Sequence, residues 1–309
     1  MGWYVLIQII LQFVTHLFLP GYLLYDLWKQ PGASRFKWLV KLIHHSSYVF
    51  YIFLAGRWDM PGYYLRYMWV ILLALAAFIS YRRVRALTFY ADERRTEWEI
   101  AGRYAFTFLL FLLFISASLR GYFPPDDSVY LRFPLRDGRY YVAQGGNVQI
   151  LNQHYPVPAQ RYALDIVALN AAGIRARGIY PSDIHQYMIF ARDLYSPCDG
   201  TVIEAVDGLP DLPPPERDVE HLAGNYVVIA CQNVSVLMAH MQMGSLTVRV
   251  GDAVTTEQVV GRVGNSGNTT EPHLHIHAVR GSAGNMFEGE GVPMLFQEKF
   301  PARNTVFVR

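Results

Sequence analysis

Charge is scarce in this chain, and cysteine is scarcer. Asp, Glu, Lys and Arg make up 17% of 309 residues, against about 25% in an ordinary soluble protein. Two cysteines are too few for a disulfide-rich scaffold. A hydrophobic share of 52% excludes a disordered chain. Walker A, G-x-G-x-x-G, G-x-S-x-G and H-E-x-x-H patterns are all missing, which removes several common signatures of catalytic and nucleotide sites. What is present is unevenly spread. Residues 1–122 hold 13 Lys+Arg against 6 Asp+Glu, a net +7, and residues 123–309 hold 14 against 19, a net −5. Such asymmetry implies two parts in different surroundings.

The first part, residues 1–122, reads as a four-helix transmembrane region. Its apolar stretches are Trp3–Tyr25, Phe36–Gly56, Tyr67–Tyr81 and Tyr104–Leu119, with aromatic and basic flanks suited to the interface. Pro20-Gly21 should kink the first. The second is the weakest, with Lys37 and Lys41 at its start and His44-His45-Ser46-Ser47 within it. Basic residues gather after the first stretch (Lys29, Arg35, Lys37, Lys41) and the third (Arg82, Arg83, Arg85, Arg94, Arg95, Arg103). The positive-inside rule puts both loops in the cytoplasm. A multi-pass protein of the cell (inner) membrane results, with everything after residue 122 extracytoplasmic or periplasmic. That orientation reverses if the second stretch does not span. His44 and His45 are read as an interfacial helix end in preference to a proton relay. With no Asp or Glu in their middles, the helices suit anchoring, or recruiting a membrane or cell-wall protein, better than ion translocation.

Residues 123–309 read as an all-β domain. Phe123-Pro124-Pro125-Asp126-Asp127 breaks the last helix, and short apolar runs follow: Tyr140–Val142, Ala163–Val167, Thr201–Val206, Tyr226–Cys231, Val234–Ala239, Leu246–Val250 and Leu274–Val279. Turn signals such as Asp199-Gly200 and Gly264-Asn265-Ser266-Gly267 separate them, which suggests a sandwich or barrel. Cys198 and Cys231 sit at strand edges, either paired or as two buried thiols. Seven of the ten histidines lie here. His273, His275 and His277 alternate with Leu274 and Ile276, so a strand would turn all three imidazoles to one face. Neutral rings gathered there suit a zinc site. Asp165 is embedded in an apolar run, where a carboxylate needs a cation.

Asp165, His240 and His273-Leu274-His275 resemble the lysostaphin/LytM-type zinc endopeptidases that cleave cell-wall peptides. Ser196-Pro197-Cys198-Asp199-Gly200-Thr201-Val202 is similar to that family's A-P-x-D-G-x-V turn, and Gly224-Asn225-Tyr226-Val227-Val228-Ile229 to its G-N-x-V-x-I strand. Val248 to Val254 resembles V-x-x-G-D-x-V, and Gly261 to Asn268 resembles the glycine-rich approach to H-L-H. The ordered set covers about residues 150–300. The resemblance implies an antiparallel sheet or β-sandwich of the LytM type and a peptidoglycan peptide as substrate. It also implies Zn2+ as cofactor, with Asp165 and His275 as ligands and His240 and His273 as flanking catalytic histidines. The family's first ligand lies four residues before the Asp, where this chain has Arg161, which cannot bind zinc. His154 is the nearest substitute and completes the set His154, Asp165, His275. A domain that has lost its metal and acts as a binding module or activator scaffold is the alternative. His277 replaces an acidic residue common after H-L-H and reads as a polar strand residue rather than a partner of the ligands. His185 and His221 read as surface residues, and Ser266 as a turn residue, not a nucleophile. The partners implied are peptidoglycan and the lipid bilayer, with no nucleic acid.

Overall fold

The computed structural model describes residues 3–91, 94–281 and 288–309. The chain divides into two compact units, residues 1–119 and 120–309. In the first unit, helix α1 runs Trp3–Lys29, α2 Arg35–Ala55, α3 Leu65–Val84 and α4 Arg94–Arg120. Pro20 does not end α1. A π-helical turn, Val14–Phe18, directly precedes it. Proline lacks the N–H that would bond the carbonyl four residues back. That carbonyl, on His16, accepts instead from the Trp69 indole at 2.8 Å.

Among the described residues, three helices are long and apolar enough to cross a membrane: Trp3–Lys29, Leu65–Val84 and the Glu97–Arg120 portion of α4. The expected fourth, Phe36–Gly56, is a helix of sufficient length, but Arg35, Lys37, Lys41, His44 and His45 lower its hydropathy. By length and composition alone, three of the four expected spans are candidates among the described residues, and α2 is not. The structure does not place His44 and His45 at a helix end. Both lie in the middle of α2, and His45 is 1% exposed. Its Nε2 is 3.1 Å from Asp26 Oδ2, and Lys41 Nζ is 2.7 Å from the same oxygen. Asp26 lies one residue beyond the stretch read as uncharged, and only the packing of α1 on α2 brings the three together.

The second unit is built from strands. They are β1 Val129–Leu131, β2 Arg139–Gln144, β3 Leu164–Ala168, β4 Asp193–Tyr195, β5 Gly200–Val206, β6 Asn225–Cys231 and β7 Val234–Met241. After them come β8 Ala253–Val254, β9 Val259–Arg262, β10 Leu274–Arg280, β11 Glu290–Val292, β12 Met294–Phe296 and β13 Val306–Val308. Nine form one sheet in the order β13-β2-β3-β10-β7-β6-β5-β8, with β11 also on β10. Every pairing in it is antiparallel. The strand expected at Leu246–Val250 does not form. Thr247 N–H bonds Val260 O, but the chain then turns at Arg249–Asp252, where both side-chain and backbone bonds close a loop.

Leu274, Ile276 and Ala278 of β10 enter the main core beside Ile166, Met238 and Phe296. A slip of one residue would bury the imidazoles there and expose those apolar groups, so the core fixes the register. Cys198 and Cys231 are joined in a disulfide with Cα atoms 5.8 Å apart, which ties the start of β5 to the end of β6.

Candidate metal centre

Register brings the first two groups together. His275 on β10 pairs across the sheet with Asp165 on β3 and, on its other side, with Ala239 on β7. His240, next in β7, leaves the regular strand with φ +59, a region sparsely used by non-glycine residues and often reserved for functional sites. Its backbone is held on both sides, N–H to Ala223 O and C=O from Gly264 N–H, each at 2.9 Å.

His154 arrives from the turn-rich segment between β2 and β3. Asn152 is its anchor: the side-chain amide donates to Gly146, Arg161 and Ala163 carbonyls, and the side-chain oxygen accepts from His154 N–H at 3.1 Å. This is an Asx turn stabilised by a buried side chain. His154 Nε2 then lies 3.1 Å from both Asp165 oxygens. The guanidinium of Arg161, at the position of the family's first ligand, lies over the Tyr155 ring, 5.5 Å from its centre.

His275 Nδ1 is 3.0 Å and His273 Nε2 3.5 Å from Asp165 Oδ1. The rings of His240 and His273 are 4.9 Å apart, and those of His240 and His275 5.9 Å. Two donor sets result, His154–Asp165–His275 and His240–His273–His275, each with its ligand atoms within 4.8 Å of one another. The first offers two imidazoles and a carboxylate, a set that suits three-ligand zinc.

Backbone carbonyls decide which nitrogens face the cluster. A carbonyl only accepts, so His240 Nδ1 carries its proton to Ser266 O at 2.9 Å, and His273 Nδ1 to Glu271 O at 2.9 Å. Both Nε2 atoms are left for the site. Ser266 is fully buried, with Oγ donating to Met241 O and accepting from Asn225 N–H. It positions His240 and is no nucleophile. A Cβ at Gly224, whose φ is +61, would lie 2.2 Å from Ser266 O, so that close approach requires glycine. Glu271 is braced by Arg175, 1% exposed, through Nε and Nη2 at 2.9 and 2.6 Å. Tyr180 OH adds a bond to Thr270 O at 2.6 Å. Asn152, Arg175 and Glu271 were invisible as site residues because their partners are backbone atoms or lie far along the chain. Gln153, whose amide is 3.4 Å from Asp165 Oδ2, adjoins His154 in the same turn.

Protonation follows from the crowding. Burial would raise the Asp165 pKa, but His154 and His273 outweigh it and hold the carboxyl well below its ordinary range. Burial opposes charge on His154 and His273, yet Asp165 raises both above the ordinary imidazole value. His240 is pushed well down by burial, and neighbouring His273 and His275 push in the same direction. It stays neutral, as a base requires. His277, read from sequence as a polar strand residue, is instead buried, with Nδ1 3.0 Å from His275 Nε2. His185 and His221 are exposed.

Residues 189–286 match the family model for Peptidase family M23. His154 and Asp165 precede the matched segment. The peptidoglycan DD-endopeptidase ShyA of Vibrio cholerae is 27% identical over 161 residues, 52% of this chain and 34% of that protein. An uncharacterized metalloprotease of Buchnera aphidicola is 40% identical over 53 residues, 17% of this chain and 14% of that protein. The chain thus spans about a third or less of the length of these curated relatives. Among solved structures, a putative peptidase M23 from Pseudomonas aeruginosa aligns with TM-score 0.29 and 18% identity over 54% of this chain and 53% of that one. The catalytic domain of lysostaphin from Staphylococcus simulans aligns with TM-score 0.22 and 24% identity over 35% of this chain and 78% of that one. Within the second unit, residues 189–286 thus carry the match to Peptidase family M23.

Proposed function

We propose that this protein is a membrane-anchored zinc metalloendopeptidase that hydrolyses peptide bonds of peptidoglycan. The convergence of His154, Asp165 and His275 on one small volume, with His240 and His273 beside it, carries the proposal. The donor chemistry fits zinc: a buried carboxylate is surrounded by imidazoles that can shed protons and offer lone pairs. Zinc held by three such ligands supplies Lewis acidity and lowers the pKa of water to about 7. The chain's own residues do the rest. His240 Nε2, neutral and fixed by Ser266 O, takes a proton from the attacking water. His273, with its Nδ1–H fixed on Glu271 O, presents Nε2 to the oxygen of the scissile carbonyl, where its protonated form would donate as charge develops.

Arg161 favours the scaffold alternative, but His154, seven residues earlier in the same segment between β2 and β3, takes the vacant ligand role. The helices supply the anchor. Lys41 is neutralised by Asp26, which lowers the cost of passing α2 through a bilayer. Four crossings put both basic loops on one side, as the positive-inside rule asks, and three would divide them. The peptidase unit then faces outward, where its polymer lies. Intact spheroplasts treated with protease should lose the second unit, and its survival contradicts this orientation. Purified full-length protein should release muropeptides from sacculi, and a chelator should stop it. Release that a chelator leaves untouched contradicts the zinc reading.

A further inference from the structure

His277 belongs to neither donor set, yet it is 1% exposed and shares a strand face with His275. Their rings meet edge-on, centres 5.2 Å apart and planes at 78°. His275 Nε2 is 3.0 Å from His277 Nδ1, while His275 Nδ1 is 3.0 Å from Asp165 Oδ1. We propose that His277 is a positioning residue that accepts the Nε2–H of His275 and thereby sets how tightly the centre holds zinc. This rests on the zinc reading of that centre.

A neutral imidazole has one N–H. For His275 to offer the Nδ1 lone pair to a cation, its proton must sit on Nε2 and needs an acceptor. His275 is buried between β3 and β7, and Leu274 and Ile276 face the opposite side of β10. His277 Nδ1 is in place to accept and thereby fixes both the tautomer and the orientation of the ring. The residue type sets the strength. A carboxylate at 277 would accept with a full negative charge and make His275 a more basic ligand. An imidazole accepts while neutral, so Asp165 remains the carboxylate of the ligand set and the centre stays one unit more positive. Zinc is bound less tightly for that reason, and its electrophilic character is kept.

The test measures zinc affinity of full-length protein in detergent by competition with a chromophoric chelator. His277→Phe, which removes the acceptor, should weaken binding about 10- to 100-fold. His277→Gln, whose amide oxygen accepts, should stay within about threefold of the parent. His277→Glu should bind more tightly than the parent. A His277→Phe protein that holds zinc as well as the parent overturns the proposal. If that variant does not fold, His277→Glu decides: weaker binding than the parent overturns it, tighter binding upholds it. A parent that takes up no zinc overturns the metal reading and this inference together, whereas a zinc-bound parent with indifferent variants overturns this inference alone.

Discussion

Each unit sets a carboxylate among nitrogen-bearing side chains, with opposite results. Asp26 meets Lys41 at 2.7 Å and His45 at 3.1 Å, and Lys41 also donates to Gln30 O at 2.8 Å. A permanent cation completes that group. Asp165, among the described residues, has ion-pair contacts only with His154, His273 and His275. Each of these can lose a proton and become a ligand. The first cluster holds helices together, and the second is a set of donors poised around one oxygen pair. The difference lies in lysine against histidine.

The sharpest way to break the comparison is to neutralise both carboxylates. Asp165→Asn should abolish zinc uptake and chelator-sensitive hydrolysis. Asp26→Asn should leave zinc content unchanged while losing about 3–5 kcal/mol of helical-unit stability, because Lys41 stays buried without its partner. Metal analysis and thermal melting in detergent separate the two outcomes. Next in size is the ligand exchange. His154→Ala should cost at least about 100-fold in zinc affinity, the upper end seen even for outer-shell changes, and Arg161→Ala should cost none, as read by chelator competition.

Arg175→Met should lower kcat by about 10- to 100-fold through misplacement of His273, at unchanged zinc content. Equal loss of zinc would show that the ion pair supports the whole centre instead. A smaller effect is expected from pH. His154 and His273 have raised folded values, so their pairing with Asp165 stabilises the metal-free protein below the ordinary imidazole value of 6.5. That contribution is lost as pH rises through the raised values. Zinc must displace the His154 proton, so affinity should climb about tenfold per pH unit and level off above that group's value. A flat titration would contradict the pairing. Reducing the Cys198–Cys231 disulfide should have the smallest effect on the centre. With the cysteines 33 positions apart in sequence, the cross-link should contribute about 3–4 kcal/mol to stability, yet zinc affinity should hold because His240 lies at the opposite end of β7.

Strand alternation made the β10 face legible in sequence, since Leu274 and Ile276 against His273, His275 and His277 leaves one workable register. The chemistry of Arg161 pointed to His154 as the replacement. The burial of His277 was not legible, because an imidazole pair at i and i+2 looks the same whether solvated or buried. The Arg175–Glu271 pair bridges 96 positions, and Ser266 acts through its carbonyl, which carries no residue type. Among the helices, apolar length was legible, but the fate of Lys41 and His45 depended on Asp26 from another helix. Leu246–Val250 had strand composition without a partner strand to complete a ladder.

Metal analysis of the full-length protein, stripped and reloaded at neutral pH, tests the central claim most directly. The account predicts about one tightly held zinc per chain, lost in His154→Ala and kept in Arg161→Ala. A parent protein without zinc, or a His154→Ala protein that retains it, would contradict the account.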